Sequence, residues 1–310
     1  MSGNARFFPV LVIAALASYW LFPDYLVLLT QIFVLAIFAL SYDLLQGFAG
    51  IVSLGHAAFF GIGAYTAALV AQAGYNEPVL GLLAAALLSA LVAAVLTPVV
   101  ARGNDLTRLL ITLGVGSLLF EAANRARGLT GGADGLSDFT MGPVLGVFPF
   151  DFAGRTAFFY ALAVLLLVYL LLLRIVTSPF GLALTGIREN PLRMASIGAP
   201  TARHIAVSYM MSGAMAGMAG AVLAQTAAFA SLDMLGFDRS AEVVIVTSLG
   251  GTGSLFGVVL GAFSFGYLRD LLSNLSPRYW QLGLGLILMA SVLFVRGGLA
   301  GGISRIRRRP

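Results

Sequence analysis

Long apolar runs alternate with short polar segments along nearly the whole chain. An α-helix needs about 20 consecutive apolar residues to cross a bilayer, and several of the runs reach that length. The pattern predicts eight full spans, near residues 7–22, 26–45, 56–73, 79–100, 107–124, 156–175, 204–229 and 281–296. The predicted fold is therefore an all-α, polytopic transmembrane helical bundle that forms one domain over residues 1–310.

Two glycine-rich segments interrupt this apolar pattern. The first, residues 47–56, lies between two predicted spans, and the second, residues 250–254, lies inside the apolar region 242–268. Non-helical backbone at membrane depth survives only where it is buried in protein or lines a wet cavity. We therefore interpret both segments as parts of a translocation path, with the candidate residues Ser53, Gly55, His56, Gly250, Gly251 and Gly253.

Two polar residues at the first interruption also have simpler interpretations. For His56 alone the structural role is favoured, in which it caps a helix or bonds to a neighbour. Asp43 lies inside an apolar span, where a carboxylate is costly and usually functional. It is also about one turn from the interruption, so an interfacial position remains an alternative.

The region 242–268 decides on which face the chain ends. Counted as one span, it would place the arginine-rich segment 297–310 on the outer face. Two half-helices that meet at the glycines would enter and leave on the same face, which restores an inner position for that segment. A kinked full span is the alternative.

The basic residues give the expected orientation. All 18 are arginines, against 13 acidic residues, which gives a net charge of +5. Most of the arginines fall in inner segments when the N-terminus is placed inside, and four of them form the basic tail 297–310. Cytoplasmic loops carry the excess of arginine and lysine, so both termini are predicted to be cytoplasmic, and a nucleic acid partner is not expected.

Composition agrees with a membrane protein that carries out no chemistry of its own. Hydrophobic residues make up 59% of the chain and charged residues only 10%, whereas globular proteins carry about 25% charged residues. Mean hydropathy is +0.96. Cysteine is absent, there are two histidines, and the sequence contains no nucleotide-binding motif. Neither a catalytic residue, a metal nor a cofactor is therefore expected.

The polar loop 177–203 contains signals for a short helix. Asn190 suits the N-cap, Pro191 the first helical position and Gly198 a left-handed exit. A lone helix of about two turns does not persist in water. The pattern therefore predicts that a second protein docks on this loop.

The loop 125–154 on the outer side is the longest polar connection. Loops of this length are usually functional or disordered. A docking surface for an external partner and a plain solvated loop both remain open.

Glycines at a spacing of four residues predict close helix packing. Gly213 and Gly217 form one pair, and Gly253, Gly257 and Gly261 repeat the same spacing. Small residues on one helix face let helix backbones approach each other within lipid. The stripes predict tight contacts inside the bundle or against a second membrane subunit.

Four stretches together resemble one family. They are residues 53–65, 129–136, 187–198 and 249–257, spread over most of the chain in the family's order. On these motifs the chain resembles the permease subunits of bacterial branched-chain amino acid ABC importers, of the LivM type.

The resemblance implies a larger assembly in the bacterial inner (cytoplasmic) membrane. Its other members would be a second permease subunit, two cytoplasmic ATPase subunits and a periplasmic substrate-binding protein, with a small amino acid as cargo. The family's coupling helix carries over to Arg188, Glu189, Asn190, Pro191, Leu192, Arg193, Ala195 and Gly198. Met194 and Ser196 stand where alanines are common in the family.

Two other functions remain open. Related permeases carry urea or short-chain amides, so the same architecture would suit those solutes. An ion-coupled secondary transporter or a channel belongs to a different class. Such a self-contained carrier does not need a capped docking helix in the loop 177–203.

Overall fold

The computed structural model describes residues 2–100, 105–294, 298–299 and 301. Within these residues the protein is built of α-helices and short 3-10 or π turns, without a β-strand. The α-helices are α1 Ser2–Leu21, α2 Leu26–Asp43, α3 Ala57–Gln72, α4 Pro78–Val100, α5 Asp105–Arg125, α6 Arg127–Thr130, α7 Arg155–Thr177, α8 Pro179–Glu189, α9 Pro191–Ser196, α10 Thr201–Ala227, α11 Phe237–Gly250, α12 Leu255–Leu275 and α13 Trp280–Phe294.

The predicted all-α bundle is confirmed. Each predicted span coincides with a helix to within a few residues, except that α1 begins earlier, at Ser2. Most of the basic tail 297–310 lies outside the described residues. Six helical segments are long and apolar enough to cross a membrane, namely Pro23–Ala49, Pro78–Val100, Asp105–Arg125, Arg155–Thr177, Thr201–Ala227 and Leu255–Leu275.

The centre of the bundle is formed by α2, α3 and α10. These helices are largely buried, and their closest approaches are at glycines. A Cβ on Gly63 of α3 would overlap the backbone of Gly217 in α10, and Gly213 lies against Ser89 and Ala93 of α4. The predicted close packing at the glycine pair is confirmed, because backbones can approach this far only where side chains are absent.

The helices α4 and α5 lie at the periphery. Only 28% of the apolar window of α4 and 11% of that of α5 are buried inside the chain. An apolar helix with this much free surface packs against lipid or against another membrane protein.

The loop 125–154 marks one end of the bundle, which we name the external-loop end. The N–H of Leu136 donates to the carbonyl of Ala230 at 2.8 Å, and the N–H of Gly142 donates to that of Asn76, also at 2.8 Å. These bonds tie the loop to the α3–α4 and α10–α11 connections. The helices α8 and α9 follow the 23-residue helix α7 and lie at the opposite end, which we name the coupling-loop end after the role predicted for this loop.

Candidate functional site

The first interruption begins where α2 loses its regular hydrogen bonding. Residues 44–49 form a π-helical turn, and Gly50 follows with a φ of +73°. The chain then runs back into the bundle without helical structure. It is held there by bonds to α2, from the N–H of Ser53 to the hydroxyl of Tyr42 at 3.3 Å and between the Oγ of Ser41 and the Nε2 of His56 at 3.0 Å. The helix α3 therefore starts inside the bundle.

The starting end of α3 is satisfied by another element. The N–H of Ala57 donates to the hydroxyl of Ser240 in α11 at 2.9 Å. Helix N-termini carry unpaired N–H groups that are costly when buried. A serine from α11 thus stabilises a helix start that sequence-local capping does not supply.

His56 is a packed residue rather than an open one. It is fully buried, stacks on Phe38 at 5.5 Å between ring centroids and meets the edges of Tyr42 and Phe59. Ser53 is also fully buried. The geometry agrees with the structural interpretation of His56, and both side chains lie behind the surface of the interruption.

Gly55 is the point at which the interruption meets α5. The N–H of Leu54 donates to the Oγ1 of Thr112 at 3.1 Å, and a Cβ on Gly55 would overlap the carbonyl of Thr112. Leu54 and Gly55 line a cavity of 380 Å³ together with Asp233 and Asp238. The interruption thus contributes backbone to a cavity beside the exposed helix α5.

The second interruption is confirmed as a break between two helices. Gly251 and Gly253 have φ values of +104° and +80°, and the side chain of Ser254 caps α12. Gly250 packs on Gly257, and Gly261 packs on the backbone of Val246. The helices α11 and α12 are therefore antiparallel, so that the N-terminus of α11 and the C-terminus of α12 lie at the same end of the bundle. The predicted glycine stripe of α12 faces α11.

The predicted length of the second arm is wrong. The helix α11 has 14 residues, as expected of a half-helix, but α12 has 21 residues and is long enough to span a membrane. The apolar run ended at residue 268 because Arg269 follows it. In the structure the guanidinium of Arg269 pairs with Glu242 at 3.0 Å, so the helix continues past the charge to Leu275.

The two interruptions lie against each other. The N–H of Gly253 donates to the Oδ1 of Asp43 at 2.8 Å, and Asp43 is fully buried. Next to this bond, the hydroxyl of Thr247 donates to the Oε1 of Gln46 at 3.0 Å. Asp43 is therefore internal rather than interfacial, and its position inside an apolar run was the signal in the sequence. Gln46 and Thr247 gave no signal.

Arg188 connects the coupling-loop end to both interruptions. It lies near the C-terminus of α8, its guanidinium donates to the carbonyl of Gly47, and its aliphatic part lies against Gly50. Its Nη1 also lies 3.5 Å from the position of a Cβ built on Gly253, in the second interruption. Of the carried-over coupling residues, Arg188 is thus the one that bonds to the first interruption, although the residue itself is exposed.

The predicted short helix is confirmed as α9. The Oδ1 of Asn190 accepts the N–H of Arg193 at 2.9 Å, Pro191 occupies the first turn, and Gly198 has a φ of +86°. The expectation of a lone helix is wrong, because α8 precedes α9 directly and Met194 packs over Gly186 of α8. The other carried-over residues are exposed: Glu189, Asn190, Pro191, Leu192, Arg193, Ala195 and Gly198.

This surface has an apolar component that water alone does not explain. Leu192 is 80% exposed and Ile197 is 71% exposed, at an end of the bundle where charged residues would be expected. Exposed apolar residues that cluster with charged ones are typical of protein contact surfaces. The pair α8–α9 therefore forms a candidate docking surface with one residue, Arg188, in contact with the first interruption.

Comparison with known proteins identifies the family. Residues 25–293 match the family described as "branched-chain amino acid transport system / permease component". The chain is 30% identical over 297 residues to the high-affinity branched-chain amino acid transport system permease protein LivM of Escherichia coli (strain K12), covering 87% of this chain and 68% of that protein. It is 29% identical to the protein of the same name from Salmonella typhimurium, with the same coverage. No solved structure matches the chain.

The matched region includes both interruptions and the α8–α9 surface, which are the features that the geometry brings together. The chain is a multi-pass membrane protein, and it belongs to the family of permease components of branched-chain amino acid transport systems.

Proposed function

We propose that this chain is the permease subunit of an ATP-driven ABC importer for branched-chain amino acids in a bacterial inner membrane. A second permease would complete the path, two cytoplasmic ATPase subunits would hydrolyse ATP, and a periplasmic binding protein would deliver the cargo. The named relatives are branched-chain amino acid permeases, and the chain itself carries no nucleotide-binding motif. Both termini would be cytoplasmic.

The contact of Arg188 with Gly47 is the observation that carries this proposal. Coupling needs an element whose arrangement both sites can bias. An ATPase docked on Glu189, Leu192 and Arg193 would move α8–α9. Arg188 would pass that movement to the first interruption, and Asp43 would pass it on to the second through the N–H of Gly253. Movement of the exposed pair α8–α9 would thereby be transmitted to both interruptions inside the bundle.

The translocation path would run beside α5, where Gly55 contributes to the 380 Å³ cavity. The largely unburied surface of α5 is available to the second permease. In this proposal Gly55 lines the path, Ser53 and His56 support its wall from behind, and Gly250, Gly251 and Gly253 form the turn that moves with the coupling loop.

Reconstitution tests the class of transporter. Proteoliposomes that contain this chain alone are compared with proteoliposomes that contain the chain together with a partner permease and ATPase subunits. Both receive binding protein and leucine, with and without ATP and with and without an ion gradient. We expect concentrative uptake of leucine only in the complete assembly and only with ATP. Uptake by the chain alone, driven by an ion gradient without ATP, would overturn the importer proposal and support the secondary transporter.

Cargo is tested in the same preparation. We expect leucine, isoleucine and valine to compete for uptake and urea to have no effect. Competition by urea or a short-chain amide would replace the proposed cargo while leaving the importer class intact.

A further inference from the structure

A second cavity lies between α2, α11 and α12, and its lining residues differ from those of the 380 Å³ cavity. Its volume is 280 Å³, close to the lower end of about 300 Å³ that is typical of small-molecule sites. It lies toward the external-loop end, because its α2 residues begin at Leu28, in the first turn of that helix. Such a volume suits a small organic ligand.

One wall of the cavity is charged. The carboxylate of Glu242 pairs with the guanidinium of Arg239 at 2.8 Å and with that of Arg269 at 3.0 Å, and the side chain of Glu242 is only 13% exposed. Asp270 also lines the cavity. Two positive and two negative groups therefore line one part of the cavity, at the start of α11 and near the end of α12, where the side chains of Arg239 and Arg269 are 33% and 46% exposed.

The opposite part of the cavity is apolar. Phe38 and Phe60 lie 4.7 Å apart between ring centroids, and both line the cavity together with Leu35. Gly266 of α12 packs against Ile32 of α2. Phe38 lies six residues after Ile32 along α2, which places it roughly 9 Å further into the bundle at the helical rise of 1.5 Å per residue. Arg269 and Asp270 follow Gly266 on the side of the external-loop end.

We propose that this cavity is a binding site for an α-amino acid with an aliphatic side chain, which it holds within this subunit on the way to the translocation path. The guanidinium groups of Arg239 and Arg269 bind the carboxylate. Glu242 and Asp270 bind the ammonium group, and the aliphatic side chain extends toward Leu35, Phe38 and Phe60. The inference rests on the proposed function for the identity of the cargo.

The chemistry of the cavity separates this ligand from the other solutes left open by the sequence. A zwitterion pairs with groups of both signs, and charge-assisted hydrogen bonds are roughly twice as strong as neutral ones. Urea and short amides carry no ionised groups and have little or no apolar part, so they would leave the charged wall and the apolar floor without partners. The combination of both surfaces selects an amphipathic zwitterion.

A tryptophan beside the site allows direct measurement of binding. The guanidinium of Arg269 lies 5.6 Å from the ring centroid of Trp280. The only other tryptophan of the sequence is Trp20, which is 82% exposed on α1. In the full chain carrying Trp20→Phe, emission therefore reports on Trp280 alone. Leucine should produce a saturable change in emission, whereas urea and 4-methylpentanoate, which lacks the ammonium group, should not.

Two variants test the two ends of the site. Glu242→Gln should weaken leucine binding roughly tenfold or more, because it removes the largely buried carboxylate that the proposal assigns to the ammonium group. Leu35→Phe should weaken leucine binding but spare alanine, since it fills the apolar part only. Loss of leucine binding with retained alanine binding would not follow from general damage to the fold. Asp105→Asn is the matched control, because the exposed Asp105 pairs with Arg108 in α5 at 3.4 Å and lines neither of the two cavities.

The possible outcomes separate this inference from the proposed function. Absence of a saturable response to leucine in the Trp20→Phe chain would overturn the site even if the complete assembly still imports leucine. So would unchanged leucine binding in both Glu242→Gln and Leu35→Phe. Leucine binding at the site in an assembly that needs no ATP for uptake would leave the site standing and remove the importer proposal.

Discussion

The turn at Gly253 offers the sharpest test of how the two interruptions work together. Its φ of +80° lies in a region that side chains rarely adopt, and its N–H donates to Asp43. A Cβ at this position would lie 3.3 Å from the carbonyl oxygen of Gly47 and 3.5 Å from the Nη1 of Arg188. Gly253→Ala therefore changes the backbone preference of the turn at the point where the two interruptions and Arg188 of α8 meet.

The size of the effect follows mainly from the backbone. A residue other than glycine in a left-handed conformation costs about 1–2 kcal/mol, and the 3.3 Å contact adds a small steric term. A total of about 2 kcal/mol corresponds to a factor of roughly 30 in an equilibrium. We expect Gly253→Ala to shift the turn away from its native geometry by up to this factor and to lower ATP-dependent leucine uptake several-fold.

The assay compares uptake and ATP hydrolysis in proteoliposomes of the complete assembly, with thermal unfolding of the purified protein as a check on folding. Gly285→Ala is the control, because nothing lies within 4 Å of a Cβ built on Gly285 in α13 and its φ lies outside the left-handed region. Alanine is more favourable than glycine in a helix interior by about 1 kcal/mol, so Gly285→Ala should not lower stability. Wild-type uptake and stability of Gly253→Ala would refute the role given to the left-handed turn.

Three further predictions concern neighbouring features. Asp43→Ala should lower the free energy of unfolding by about 1–3 kcal/mol, because it leaves the N–H of Gly253 unpaired. Asp43→Asn keeps an acceptor and should lose less. Equal thermal unfolding of both variants would contradict the bond. Reversing the charge of Glu189 or Arg193 should reduce ATP-coupled transport while the chain still inserts, by about 1–3 kcal/mol of docking energy if the group is buried in the contact; normal coupling in both reversals would remove the docking assignment. Single cysteines at Tyr75 and Ile197, both exposed loop positions, should be labelled on whole cells by an impermeant thiol reagent only at Tyr75; labelling of Ile197 alone would invert the topology.

The sequence by itself determined the helices and the local caps. Apolar runs of span length placed α2 to α5, α7 and α10 to within a few residues, because in lipid every backbone N–H must bond within its own segment. The caps of α9 at Asn190 and Gly198 were also readable, since each depends on residues a few positions away. The glycine clusters marked both breaks for the same local reason.

Only the tertiary structure decided which of these local features meet. The bond from Gly253 to Asp43 joins residues 210 positions apart, and the contact of Arg188 with Gly47 joins residues 141 apart. No local periodicity specifies such pairs, which depend on how whole helices pack. The contact of Arg269 is also non-local. Its charge ended the predicted span, but in the structure Arg269 pairs with Glu242 of the neighbouring helix α11. Charge inside a membrane is tolerated only with a partner, and the partner is a property of the fold.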